Sequence, residues 1–189
     1  MANRFSQPKT PHRETPAGNG YQPVQTYTDL RTMVFSVDLG ALGSRKTDTV
    51  DHVWGIVMET GYSQAVATLL ALADGTVNLY FSSGGGMIGL GDYQEVGEAG
   101  QRLIALAAKF VKNCDMACEF PLPRKGFTRF YLMTYSGVLS LEVDAEGLWQ
   151  NAALAPLFDR GHKLLAMIRS IGEQQAVSDL NKASLARPN

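Results

Sequence analysis

The chain has 189 residues, 45% hydrophobic and 19% charged, which suits one folded domain and would leave two cramped. A balance of 17 basic against 18 acidic residues gives a net charge of −1, which lacks the basic surplus of a general nucleic-acid binder. No run reaches the ~18 apolar residues of a membrane-spanning helix. The opening MANRFSQPKTPHRE has no apolar secretory core, and two cysteines are too few for a disulfide framework, so a cytoplasmic protein is expected.

Residues 1–22 are polar and punctuated by Pro8, Pro11, Pro16, Gly18 and Gly20, with Pro23 just beyond. Such a segment cannot bury enough apolar surface to offset its ordering entropy, so it reads as a flexible tail. Its Thr10-Pro11 and Thr15-Pro16 pairs are candidate modification sites. Residues 26–39, TYTDLRTMVFSVDL, fit either a short helix or a strand. As a helix, Thr28 would cap it and Leu30, Met33, Val34 and Val37 would share a face. Residues 40–48, GALGSRKTD, read as a loop.

The folded region then begins. Residues 52–59 read as a strand, and 65–73, AVATLLALA, are apolar on both faces as a central strand requires. Asp74-Gly75 separates that run from the alternating 76-TVNLYFS-82, a strong hairpin pattern. A glycine-rich loop follows, then a helix over about 93–113 with Val96, Gly100, Leu103, Ala107, Phe110 and Val111 on its apolar face. Asp92 and Glu95 have the spacing of a capping box. Residues 119–126 form a turn-rich connector. A second hairpin pairs 127–135 with 138–143 across Ser136-Gly137. Trp149 lies in an unassigned stretch. Pro156 suits the first turn of a last helix, which carries Leu157, Gly161, Leu164, Leu165, Ile168 and Ile171 to about residue 175. Residues 176–189 read as a polar tail, leaving 23–175 as a single α+β domain: one antiparallel sheet flanked by helices.

The succession strand, hairpin, helix, hairpin, helix over about 52–175, with its Asp74-Gly75 turn, resembles the profilin-like folds, in particular the roadblock/LC7 domains. That resemblance implies a non-catalytic interaction or regulatory domain that self-associates. It rests on element order, with no family motif.

The segment 81-FSSGGGMIGLGDYQEV-96 contains Gly84-x-Gly86-x-x-Gly89, the spacing of a dinucleotide fingerprint. That motif needs a parallel strand after its helix, and 113-NCDMACEFPLP-123 does not supply one. A phosphate-binding loop of the other kind needs Gly-Lys before the helix, yet the next lysine is Lys109. Structural glycines are the leading reading. The alternative is a small-ligand site formed by Ser82, Ser83, Gly84, Gly85, Gly86 and Gly89. Gly97 and Gly100 inside the helix imply a close helix–sheet crossing or a contact with another copy. Cys114 and Cys118, spaced by three residues without a second ligand pair, read as free thiols. Arg124, Lys125 and Arg129, interleaved with Phe127, Phe130 and Tyr131, suggest a solvated turn or, alternatively, an interaction patch. Catalytic patterns are thin: Asp51-His52 and His162 have no visible nucleophile, and the carboxylates Glu59, Glu142 and Asp144 fall at strand ends. No cofactor is implied. The expected role is an interaction domain, with small-ligand sensing at loop 84–91 as the alternative and an enzyme using His52 as a weaker third.

Overall fold

The structure, a computed structural model, describes residues 20–36, 53–144, 146–147 and 152–185. Thr10-Pro11, Thr15-Pro16, His12, Val37, the 40–48 loop, Asp51-His52 and Trp149 lie outside the described residues.

The Asp74-Gly75 turn organises the sheet. Gly75 takes a φ of 94°, and the Asp74 carboxylate accepts a hydrogen bond from the Thr76 N–H at 2.9 Å. This closes β2 (Val66–Leu72) against β3 (Val77–Phe81). On its other side β2 pairs with β1 (Val53–Gly61), from Gly55 opposite Leu72 to Gly61 opposite Val66. β1 in turn pairs with β6 (Phe127–Thr134), and β6 with β7 (Gly137–Asp144) across the Ser136-Gly137 turn. Two-residue strands close the edges: β4 (Gly86–Met87) on β3 and β5 (Asp115–Met116) on β7. The result is one seven-stranded sheet, all antiparallel, in the order β4-β3-β2-β1-β6-β7-β5. With its helices it forms the expected α+β architecture.

Both faces of the sheet are covered, which explains why β1 and β2 are apolar on both sides. On the first face lie α2 (Gln94–Ala107) and α3 (Ala155–Leu185), with Val96, Leu103, Leu157, Leu164 and Ile168 packed on Ile56, Met58, Leu69 and Phe130. On the second face lies α1 (Gln25–Phe35), together with Phe120 and Leu122 of the connector. Their floor is Val57, Leu70, Tyr80, Tyr131 and Met133.

Several element limits differ from the sequence reading. Residues 25–35 are helical, but Tyr27 is the buried residue, and Met33 is 68% exposed rather than part of an apolar stripe. Asp92 is not the cap of α2. Leu90–Asp92 wind into a 3-10 turn, so the cap position falls on Tyr93, with no side-chain capping hydrogen bond. The helix ends at Ala107 and continues to Asn113 only as 3-10 turns. α3 runs to Leu185 rather than about 175. Residues 173–185 contain neither glycine nor proline to stop it, and the side chains of 173–179 are exposed and need no core.

α2 lies so close to the hairpin that the glycines between them have no room for a side chain. A Cβ on Gly100 would stand 2.7 Å from Val77 Cγ2, and one on Gly97 would stand 3.0 Å from the Gly91 carbonyl. A Cβ on Gly91 would strike the Gly75 carbonyl itself. Gly97 and Gly100 therefore serve contacts within the chain. Gly91→Ala is expected to lower stability by about 1–3 kcal/mol, since backbone must shift to admit the methyl. Urea unfolding measures this, and an unchanged midpoint would contradict the close crossing.

Candidate functional site

The second face of the sheet carries a buried polar cluster. Glu59 on β1 is 0% exposed, and an isolated carboxylate there would be very costly. Arg31 of α1 reaches it from above, donating from Nε to Oε1 at 2.6 Å and from Nη2 to Oε2 at 2.9 Å. The two-pronged geometry is the strong form of this pairing. Nη2 also donates to the Phe120 carbonyl at 2.7 Å, which ties the connector into the same knot. Beside it the Tyr27 hydroxyl and Thr68 Oγ1 lie 2.9 Å apart, and Thr68 Oγ1 lies 3.4 Å from Glu59 Oε1.

Tyr80 stands next in this row, opposite Thr68 on β3. It is 5% exposed, and its hydroxyl has no hydrogen-bond partner. Burial first, and the Glu59 charge second, hold its phenol well above the ordinary tyrosine range, so it is a hydrogen-bond donor at any physiological pH. Its ring meets Tyr27 edge-on at 5.7 Å.

Tyr80 lines a cleft of about 190 Å³ between the glycine segment and the start of α1. Apolar walls come from Val24, Leu30, Phe81 and Ile88, and the outer wall is Gly84, Gly85 and Gly86. The glycines form a tight hairpin turn: the Gly84 N–H donates to the Phe81 carbonyl and the Phe81 N–H to the Gly85 carbonyl. Their φ angles are 100°, 77° and 157°, a path that side-chain-bearing residues rarely follow. The Gly84-x-Gly86-x-x-Gly89 spacing thus spans an antiparallel β3–β4 hairpin, not the strand–helix turn of a dinucleotide fold.

The other candidate residues are dispersed. Ser82 is buried, and its Oγ accepts from the Val66 N–H at 2.8 Å, so it braces the strand rather than facing the cleft. Ser83 is exposed on the turn. Gly89 lies beyond β4, where its N–H donates to the Asn78 side chain at 2.9 Å. Arg129 is spent on Glu142 at 2.5 Å and on the Pro121 carbonyl at 3.0 Å. Arg124 lies over the Phe127 ring at 4.3 Å, and Lys125 is exposed. Phe130 and Tyr131 are fully buried on opposite faces of the sheet, so this cluster offers no stacked aromatic platform. Glu59 and Glu142 are not a paired acid–base set, because each has its own arginine. His162 sits against Phe158, and burial lowers its pKa below the ordinary 6.5. Burial pushes the Cys114 thiol up to about 11, and its Sγ donates to the Phe110 carbonyl, while Cys118 is exposed.

No family model, curated protein or solved structure matches this chain. Among the described residues, no group of three or more His, Cys, Asp or Glu is placed to hold a metal, and no helix is long and apolar enough to cross a membrane.

A second, wider cleft of about 310 Å³ opens at the far end of α1, walled by Val34, Trp54, Leu70, Leu72, Met133 and Tyr135. Of the first cleft only the glycine wall was named from the sequence, and the second was not foreseen, because each is assembled from residues dozens of positions apart. The one readable trace was three consecutive glycines where a hairpin turn needs fewer.

Removing Arg31 alone leaves Glu59 charged and unpaired. Arg31→Met should cost about 3–5 kcal/mol, and the double variant Arg31→Met/Glu59→Leu should recover most of that loss. Denaturant unfolding of the set tests this. A double variant no more stable than the single one would contradict it.

Proposed function

We propose that the chain is a cytoplasmic recognition domain that takes a small ligand in the cleft between the glycine turn and α1. The observation that carries this reading is the Tyr80 hydroxyl. A buried donor with no protein partner is costly, by about 1–3 kcal/mol, and Tyr80, which carries it, is one of the residues that line this cleft. The glycine wall supports the same reading, because it offers backbone without side chains to crowd a ligand. The cleft is smaller than the roughly 300–1,000 Å³ of drug-sized pockets, so the ligand is a small one.

A second reading is a protein-interaction or regulatory domain that self-associates, as the roadblock/LC7 resemblance implies. It is favoured by Ile88, which is 70% exposed at the cleft mouth with Val24 beside it. Light scattering distinguishes the two. A dimer that Ile88→Asp converts to a monomer supports self-association, and a monomer at all concentrations removes it. We also propose kinship with the roadblock-type group, supported by the succession of hairpin, helix, hairpin and helix.

The first reading is tested by a thermal-shift screen against small metabolites, run in parallel on Tyr80→Phe. Without ligand, Tyr80→Phe should be as stable as the natural chain or slightly more so, because it removes an unpaired buried group. With a ligand it should lose most of the shift that the natural chain shows. A full shift retained in Tyr80→Phe would place binding elsewhere.

A further inference from the structure

A second site stands apart from the glycine turn and does not depend on the recognition reading above. It begins with an irregularity in β1. In an unbroken strand Trp54 would share a face with Ile56, on the first side of the sheet. The pairing of β1 with β6 slips by one residue between Val53, opposite Thr134, and Gly55, opposite Met133. Val53 therefore joins the first-face core, and Trp54 packs against the second. Bulges of this kind re-aim a side chain. Gly55 completes the arrangement. A Cβ there would stand 2.8 Å from Leu72 Cδ2 and 3.3 Å from Met133 Sδ, so those two side chains close over the glycine.

The result is the wider cleft of about 310 Å³ at the far end of α1. Val34, Leu70, Leu72 and Met133 give it apolar walls, and Trp54 and Tyr135 give it aromatic ones. Its volume reaches the lower end of the roughly 300–1,000 Å³ of small-molecule sites. The charge on its lining has one sign. Asp74 is exposed among the lining residues, with no Lys, Arg or His beside it in that lining. Its carboxylate accepts the Thr76 N–H at 2.9 Å, and no lysine or arginine among the described residues pairs with it. Aromatic rings attract cations through their quadrupole, and a nearby carboxylate adds to that attraction and repels anions.

We propose that this cleft binds a small organic cation, an ammonium group that carries an aromatic or branched apolar substituent. The ammonium lies between Asp74 and the aromatic walls, and the substituent fills the space against Leu70, Leu72 and Met133.

Calorimetric titration of the full chain with 2-phenylethylamine, 2-phenylethanol and 3-phenylpropionate tests the proposal. The three probes share a ring and differ in charge. Three variants accompany them. Asp74→Asn removes the charge and keeps the turn, because the Asn side chain also accepts from the Thr76 N–H and Asn-Gly is as good a hairpin turn as Asp-Gly. Trp54→Leu removes an aromatic wall, and Tyr80→Phe serves as a control in the other cleft. The expected result is that the amine binds, the alcohol binds about tenfold more weakly, and the acid does not bind. Asp74→Asn should weaken the amine about threefold to fivefold and leave the alcohol unchanged, with its melting temperature kept. Trp54→Leu should weaken both, and Tyr80→Phe neither. Equal binding of amine and alcohol, unaltered by Asp74→Asn, overturns the cation class. Amine binding that Asp74→Asn does not alter, or that Tyr80→Phe abolishes, puts the site elsewhere and overturns the proposal. Absence of amine binding overturns it as well. Asp74→Asn alone decides these outcomes if Trp54→Leu does not fold.

Discussion

The second face of the sheet depends on the ion pair between Glu59 and Arg31. Glu59 lies on the central strand with no exposure to solvent, and such a charge is tolerated only with a hydrogen-bonded partner. That partner comes from α1, a helix with a single buried residue, Tyr27. Its other apolar contacts on this face, Leu30, Val34 and Phe35, are only partly buried, so apolar burial alone is a modest hold for an 11-residue helix. The arginine therefore does more than neutralise a charge. It positions α1, and through the Phe120 carbonyl it positions the connector as well. The cleft beside Tyr80 exists because α1 is held there.

The polar cluster follows one register line across the sheet. Gly86, Tyr80, Thr68, Glu59, Arg129 and Glu142 are successive cross-strand partners on β4, β3, β2, β1, β6 and β7. Since side chains alternate between faces, a row at one register points to one side of the sheet. Tyr27 and Arg31 close over its middle, and the Arg129–Glu142 pair closes its far end. Only the Tyr80 end is left with an unpaired donor, next to the glycine that opens β4. The three glycines are explained by this position. They turn the chain back within a hairpin, and Gly86 lies so close to Tyr80 that a Cβ there would strike the Tyr80 backbone.

Much of the scaffold was legible in the sequence because it is local. The Asp74-Gly75 and Ser136-Gly137 turns, the apolar stripe of α2 and the Pro156 start of α3 each depend on neighbours within a few positions. The edges of the sheet were not legible, since two-residue strands such as Gly86–Met87 have no periodicity to read. The cap of α2 was misplaced by one residue because a 3-10 turn at Leu90–Asp92 absorbed Asp92. The candidate site was least legible. Glu59 stood out only as a carboxylate at a strand end, while its partners Arg31 and Thr68 lie 28 and 9 positions away, and Tyr27 lies 41 positions from Thr68. Such contacts follow from strand order, which local patterns do not reveal.

Hydrogen–deuterium exchange on Arg31→Met tests the central claim most directly. The account predicts that protection is lost in α1 and in the connector around Phe120, while α2, α3 and the central strands keep theirs, because the first-face core does not involve Arg31. Unchanged protection across α1, or an even loss across the whole sheet, would contradict the claim that this one pair holds the second face in place.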